Sequence, residues 1–64
     1  MRYVIEQMGG DGRWFIRGSE RYEHDARRHA ERYANADHVC MRVTDTRTRE
    51  VIFQRDERRM PPGV

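Results

Sequence analysis

The chain has no lysine. All of its 13 basic residues are arginine, set against 11 acidic residues for a formal net charge of +2 over 64 residues. So even a balance is unlike the lopsided charge of a dedicated nucleic-acid arm. Cysteine is scarce as well. Cys40 stands alone, so no intramolecular disulfide can form, and a lone cysteine fits a reducing compartment. No apolar run approaches the ~18 residues that a membrane-spanning helix needs. The opening MRYVIEQ lacks the apolar core of a signal peptide. The expectation is a soluble, cytoplasmic protein with no membrane partner. A domain of this size buries only ~60% of its unfolded surface. It therefore depends on good packing, self-association or a partner.

What is present alternates between apolar segments and turn signals. RYVIEQM (2–8) reads as a strand, GGDG (9–12) as a turn rich in residues that tolerate positive φ, and RWFIRG (13–18) as a second strand. SERYEHDARRHAERYANA (19–36) is the one long helical stretch, with Ser19 as its N-cap; alternatively 19–22 prolong the second strand and the helix begins near Glu23. HVCMRVTD (38–45) and VIFQR (51–55) give two further strands around the turn TDTRTRE (44–50). The order β-β-α-β-β predicts a two-layer α+β fold, with one helix packed on a four-stranded, mostly antiparallel sheet that has one open face. Residues 1–55 form this single domain, and 56–64, ending in Pro-Pro-Gly-Val, read as a flexible C-terminal tail.

Strict alternation assigns the two sheet faces. Tyr3, Ile5, Trp14, Ile16, Val39, Met41, Val43, Val51 and Phe53 form the richer apolar set, expected under the helix. Tyr22, Ala26, Ala30 and Tyr33 fall in one helical stripe and are expected to close that core. The opposite face then carries Val4, Phe15, Cys40 and Ile52 among Glu6, Arg13, Arg17 and Arg42. An apolar centre ringed by arginine has the composition of a contact surface, although scattered exposed apolar residues are also ordinary.

YEHDARRHAERY (22–33) looks at first like a chemical site. His24 and His29 are five residues apart, roughly 140° around a helix axis, whereas helical zinc pairs use a spacing of four. A zinc site from His29, His38 and Cys40 would need a fourth ligand. Asp25 and His29 are spaced to touch, but no serine or cysteine in a nucleophile motif follows. Glu23, Arg27 and Glu31 read as a helix-supporting ladder. Arg21, Arg28 and Arg32 share a ridge suited to phosphates or an acidic protein patch, or else a solvated mixed face. GGDG lacks the Gly-Lys-Ser/Thr of a phosphate loop and the several oxygen ligands of a calcium loop. No catalytic residue, metal or cofactor is expected.

Gly12, Arg13 and Trp14 after the turn, Ala26, Ala30 and Ala34 along the helix, and Val39 with Val43 follow a layout that resembles many small bacterial and phage ββαββ proteins. YVIEQMGGDGRWFIRG also looks slightly like the opening hairpin of HicB-type antitoxins. The stretch that follows it here lacks that family's Pro- and Gly-containing segment, and no family is assigned.

The expected function is that of a small non-enzymatic binding protein acting by protein–protein contact. Two forms are open: homodimerisation through the open sheet face, and inhibition or regulation of a larger protein partner, as phage-encoded inhibitors of host defence (anti-CRISPR-type proteins) do. The alternative is a nucleic-acid-binding module, with Phe15 stacking a base while Arg13, Arg17, Arg42 and the Arg21, Arg28, Arg32 ridge hold phosphates.

Overall fold

The computed structural model describes residues 2–58. Four strands and one helix follow in the order β1 (Tyr3–Met8), β2 (Trp14–Glu20), α1 (Glu23–Asp37), β3 (Cys40–Asp45) and β4 (Glu50–Asp56). The strands form one antiparallel sheet in the order β2-β1-β3-β4. The architecture is the expected α+β arrangement with one open sheet face. Among the described residues, no helix is long and apolar enough to cross a membrane.

The β1–β2 turn closes through Gly9 N to Arg13 O at 2.8 Å and Gly12 N to Gly9 O at 3.0 Å. Gly12 sits at φ 82, in the left-handed region that glycine enters without steric cost. The Asp11 carboxylate accepts from Arg13 N at 3.0 Å and completes the turn.

Helix α1 begins at Glu23, so the later of the two expected starts is the observed one. Ser19 belongs to β2, where it lies opposite Val4, and does not cap the helix. Tyr22 occupies the N-cap position without a side-chain capping bond. Tyr22 is 62% exposed, so it does not close the core as helical spacing suggested. Glu23 and Asp25 in the first turn favour the positive end of the helix dipole.

Ala26, Ala30 and Ala34 are fully buried, and their small side chains let the helix lie close over the sheet. Beneath them are Ile5, Met41 and Val43, with Tyr3 at one end and Tyr33, Val39, Ile52 and Phe53 around the edge. Asp45 is the buried charged residue of the described chain. It accepts from Arg2 Nε at 3.2 Å, Arg2 Nη2 at 3.0 Å and Arg47 N at 2.9 Å. This pins the start of the chain to the β3–β4 turn, where Thr46 N also donates to Arg2 O at 2.8 Å.

Of the expected C-terminal tail, Asp56 ends β4, and Glu57 N donates to Val39 O at 3.2 Å. Residues 59–64 lie outside the described part.

Candidate contact surface

Two irregularities in strand pairing decide which side chains face solvent. Between β1 and β2, Ile5 lies opposite Gly18 but Glu6 lies opposite Ile16, so Arg17 is an extra residue. Between β3 and β4, Val43 lies opposite Phe53 but Thr44 lies opposite Val51, so Ile52 is extra. A bulge of this kind shifts the alternation of everything beyond it by one residue.

The consequences reverse part of the expected face assignment. Trp14, Ile16 and Val51, expected under the helix, are on the open face, opposite Met8, Glu6 and Thr44 respectively. Ile52, expected on the open face, packs against the core. Arg17 is on the helix side: its guanidinium lies 4.2 Å from the Tyr33 ring centroid, bonds Gln7 and reaches Asp37 at 3.7 Å. Phe15, opposite Gln7 and in line with buried Met41, shares that side. Val4, Cys40 and Arg42 keep the open face expected of them. Arg13 stands in the turn before β2, outside the sheet.

The open face is therefore ordered in rows across the strands. The first row runs Ser19, Val4, Thr44, Val51; the second runs Ile16, Glu6, Arg42, Gln54. Trp14 beside Met8, and Cys40 beside Asp56, continue it toward the β1–β2 turn. Ile16 is 66% exposed and Val51 47% exposed, at opposite edges of the same face.

The centre is held by charge. Arg42 donates to Glu6 through Nε at 3.0 Å and Nη2 at 3.4 Å, while Thr44 Oγ1 donates to the same carboxylate at 2.7 Å. The Arg42 guanidinium also covers Trp14, 4.1 Å from its ring centroid. Partial burial pushes the Glu6 carboxyl upward, and the bonds from Arg42 and Thr44 outweigh it, so its pKa lies below the usual value. Cys40 is buried under this surface, with Gln54 Nε2 at 3.7 Å from its sulfur. Burial pushes its thiol pKa up, away from reactivity.

The helix flank is a second charged area. His29 Nδ1 meets Glu20 at 3.2 Å rather than Asp25, and its ring stacks on Tyr33 with centroids 4.8 Å apart. Arg27 pairs with Glu23 at 3.5 Å, but Glu31 turns to Arg55 at 2.9 Å, so the expected ladder is only half formed. Glu20, Asp25, Arg28, His29 and Arg32 line an open depression of about 320 Å³. Arg13, Arg21, Arg28 and Arg32 make no side-chain ion pair or hydrogen bond among the described residues. His29 lies near Gly18 on the helix side, whereas Cys40 is on the opposite face, so the sheet separates two members of the weighed zinc set.

Alternation missed Trp14, Ile16 and Val51 as surface residues; it placed Glu6 on the face of Arg42, as observed, but gave no sign of the bonds that Arg42 and Thr44 make to it. One signal pointed to Trp14 and Ile16: Gly18 inside an apolar strand pattern is a bulge marker. No family model, curated protein or solved structure matches the chain.

Proposed function

We propose that the chain is a small non-enzymatic binding protein that acts by protein–protein contact through the open face of its sheet. The observation that carries this reading is the 66% exposure of Ile16 on a face that also presents Val51, Val4, Met8 and Trp14. Apolar side chains around an internally satisfied polar centre are the pattern of an interface core. Arg42 and Glu6 already hold one another, so covering them leaves no charge without a partner. Self-association and the capping of a larger protein are the two forms of this contact.

Photo-cross-linking in cells tests the reading, with the reactive residue at Ile16 or at Tyr22. Both sites are exposed, and Tyr22 lies outside the sheet. Protein adducts are expected from position 16 and are lost with Val51→Asp. Equal adducts from both positions, or adducts from Tyr22 alone, would overturn the reading.

Nucleic-acid binding has one observation in its favour: Arg28 and Arg32 at the helix depression have no side-chain partner among the described residues. Phe15 and Arg42, chosen for that reading, lie on opposite sides of the sheet and cannot grip one strand together. Salt-dependent binding of single-stranded oligonucleotides, lost in Arg28→Ala/Arg32→Ala, is the result that would support it.

A further inference from the structure

We propose that the open face pairs with the open face of a second copy of this chain, about a twofold axis parallel to the strands and midway between β1 and β3. The proposal rests on the contact reading above and names its partner.

The choice of a second copy follows from the order of charges across the sheet. The central row reads Ile16, Glu6, Arg42, Gln54 from β2 to β4. Rotation about an axis along the strands keeps the rows and reverses their order. Glu6 then faces Arg42 of the second copy, and Arg42 faces its Glu6. Together with the Glu6–Arg42 pair inside each copy, this makes a closed ring of four alternating charges. Rotation about an axis running across the strands and through this row would stack Glu6 on Glu6 and Arg42 on Arg42. Like charges set directly opposite are repulsive. About the centre of this row, the face is thus complementary to itself with the axis along the strands and not with the axis across them.

The apolar residues follow the same symmetry. β2 of one copy covers β4 of the other, so Ile16 faces Gln54 of the second copy, one row from its Val51. Ser19 faces Val51 directly, and Val4 faces Thr44. A twofold contact of this kind closes on itself and does not propagate.

Size sets the strength. Four strands about 4.8 Å apart and about 20 Å long give a footprint of roughly 400 Å². Two such faces bury about 800 Å², below the ~1,200–2,000 Å² of a stable specific interface and in the range of weak, transient contacts. The dimer is therefore expected to be reversible and concentration-dependent.

Disulfide trapping with two single-cysteine variants on exposed positions, Ser19→Cys and Val51→Cys, tests both partner and axis. One variant is isotopically labelled, and circular dichroism checks that each is folded. Buried Cys40 is left in place, and the parent protein serves as its control. Mild oxidation of an equal mixture is expected to give the mixed disulfide in several-fold excess over either like pair. A mixed yield no greater than the twofold statistical excess of random encounter would overturn the axis. A parent protein that stays monomeric in sedimentation equilibrium into the high micromolar range would overturn self-pairing altogether. In that case, adducts from position 16 to other proteins would show that the wider contact reading survives.

Discussion

Glu6 lies directly opposite Ile16 across β1 and β2, one step beyond the place where Ile5 lies opposite Gly18. One residue on β1 thus answers to two on β2, and the extra residue is Arg17. This single irregularity moves Trp14 and Ile16 from the helix side to the open face. It turns Arg17 the other way, onto Tyr33 and Asp37. The open face is consequently richer in large apolar side chains than alternation implies, and its central charges are ordered.

The Arg42 fork should not be replaceable by lysine. Arg42 makes two bonds to Glu6 and covers Trp14, and a lysine ammonium cannot make both contacts in one geometry. Arg42→Lys is expected to destabilise the fold by about 1 kcal/mol. It should also shift Trp14 emission to the red as the indole becomes wetter. Chemical denaturation followed by tryptophan fluorescence reads both effects.

Arg49 holds φ 64 at the end of the β3–β4 turn, a region costing a non-glycine residue roughly 1–2 kcal/mol. Glycine removes that cost but loses about 0.5–1 kcal/mol of chain entropy in compensation. Arg49→Gly should therefore raise stability by a net ~0.5–1 kcal/mol, which thermal unfolding would register as a rise of a few degrees. An unchanged or lower midpoint would count against the strained turn.

The alanine line of α1 is a limit on distance. Ala26, Ala30 and Ala34 have no exposed surface, so a larger side chain must push the helix off the sheet. Ala30→Leu is expected to cost about 1–3 kcal/mol despite leucine's good helix propensity. The same substitution at exposed Ala36 should be near neutral. Urea denaturation of the two variants compares them directly.

Acid should loosen the fold through specific carboxylates. The side-chain bond from Arg2 chiefly holds the Asp45 pKa below the usual value, and Glu6 is also lowered on balance. A carboxylate whose folded pKa lies below its unfolded one adds stability above the unfolded value, and loses it as pH falls through the folded value. The melting temperature should therefore be flat near neutral pH and fall below the ordinary carboxylate range, near pH ~4. Asp45→Asn should lower the neutral plateau and flatten the acid decline. Asp56, drawn down to about 2 by its bonds from Arg58, adds to that decline and extends it toward pH ~2.

The elements and their order were legible because apolar segments, the glycine-rich turn and the alanine-rich helix each carry a local signal. The helix core was legible for Tyr3, Ile5, Ala26, Ala30, Met41 and Val43, where alternation or helical spacing runs unbroken. It failed from Trp14 to Arg17, and at Val51 and Ile52. A strand's period of two carries no memory of an extra residue, so every assignment past a bulge inverts. Gly18 marked the first bulge. The second falls in Val51, Ile52 and Phe53, three apolar residues in a row that fit either face equally well. The open face was therefore legible in Val4, Glu6 and Arg42, but centred on Phe15 when the exposed aliphatic residue there is its neighbour Ile16. His29 illustrates the other limit. Helical spacing offered Asp25, yet the nearer carboxylate is Glu20, brought in by β2 from outside the helix.

Sedimentation equilibrium of Ile16→Asp beside Phe15→Asp is the most direct measurement of whether the open face is the contact surface. The two residues are adjacent in the chain, both exposed, and on opposite sides of the sheet. The expected result is a concentration-dependent dimer for the parent and for Phe15→Asp, and a monomer for Ile16→Asp at every concentration. Association lost with Phe15→Asp but kept with Ile16→Asp would contradict the assignment of the face.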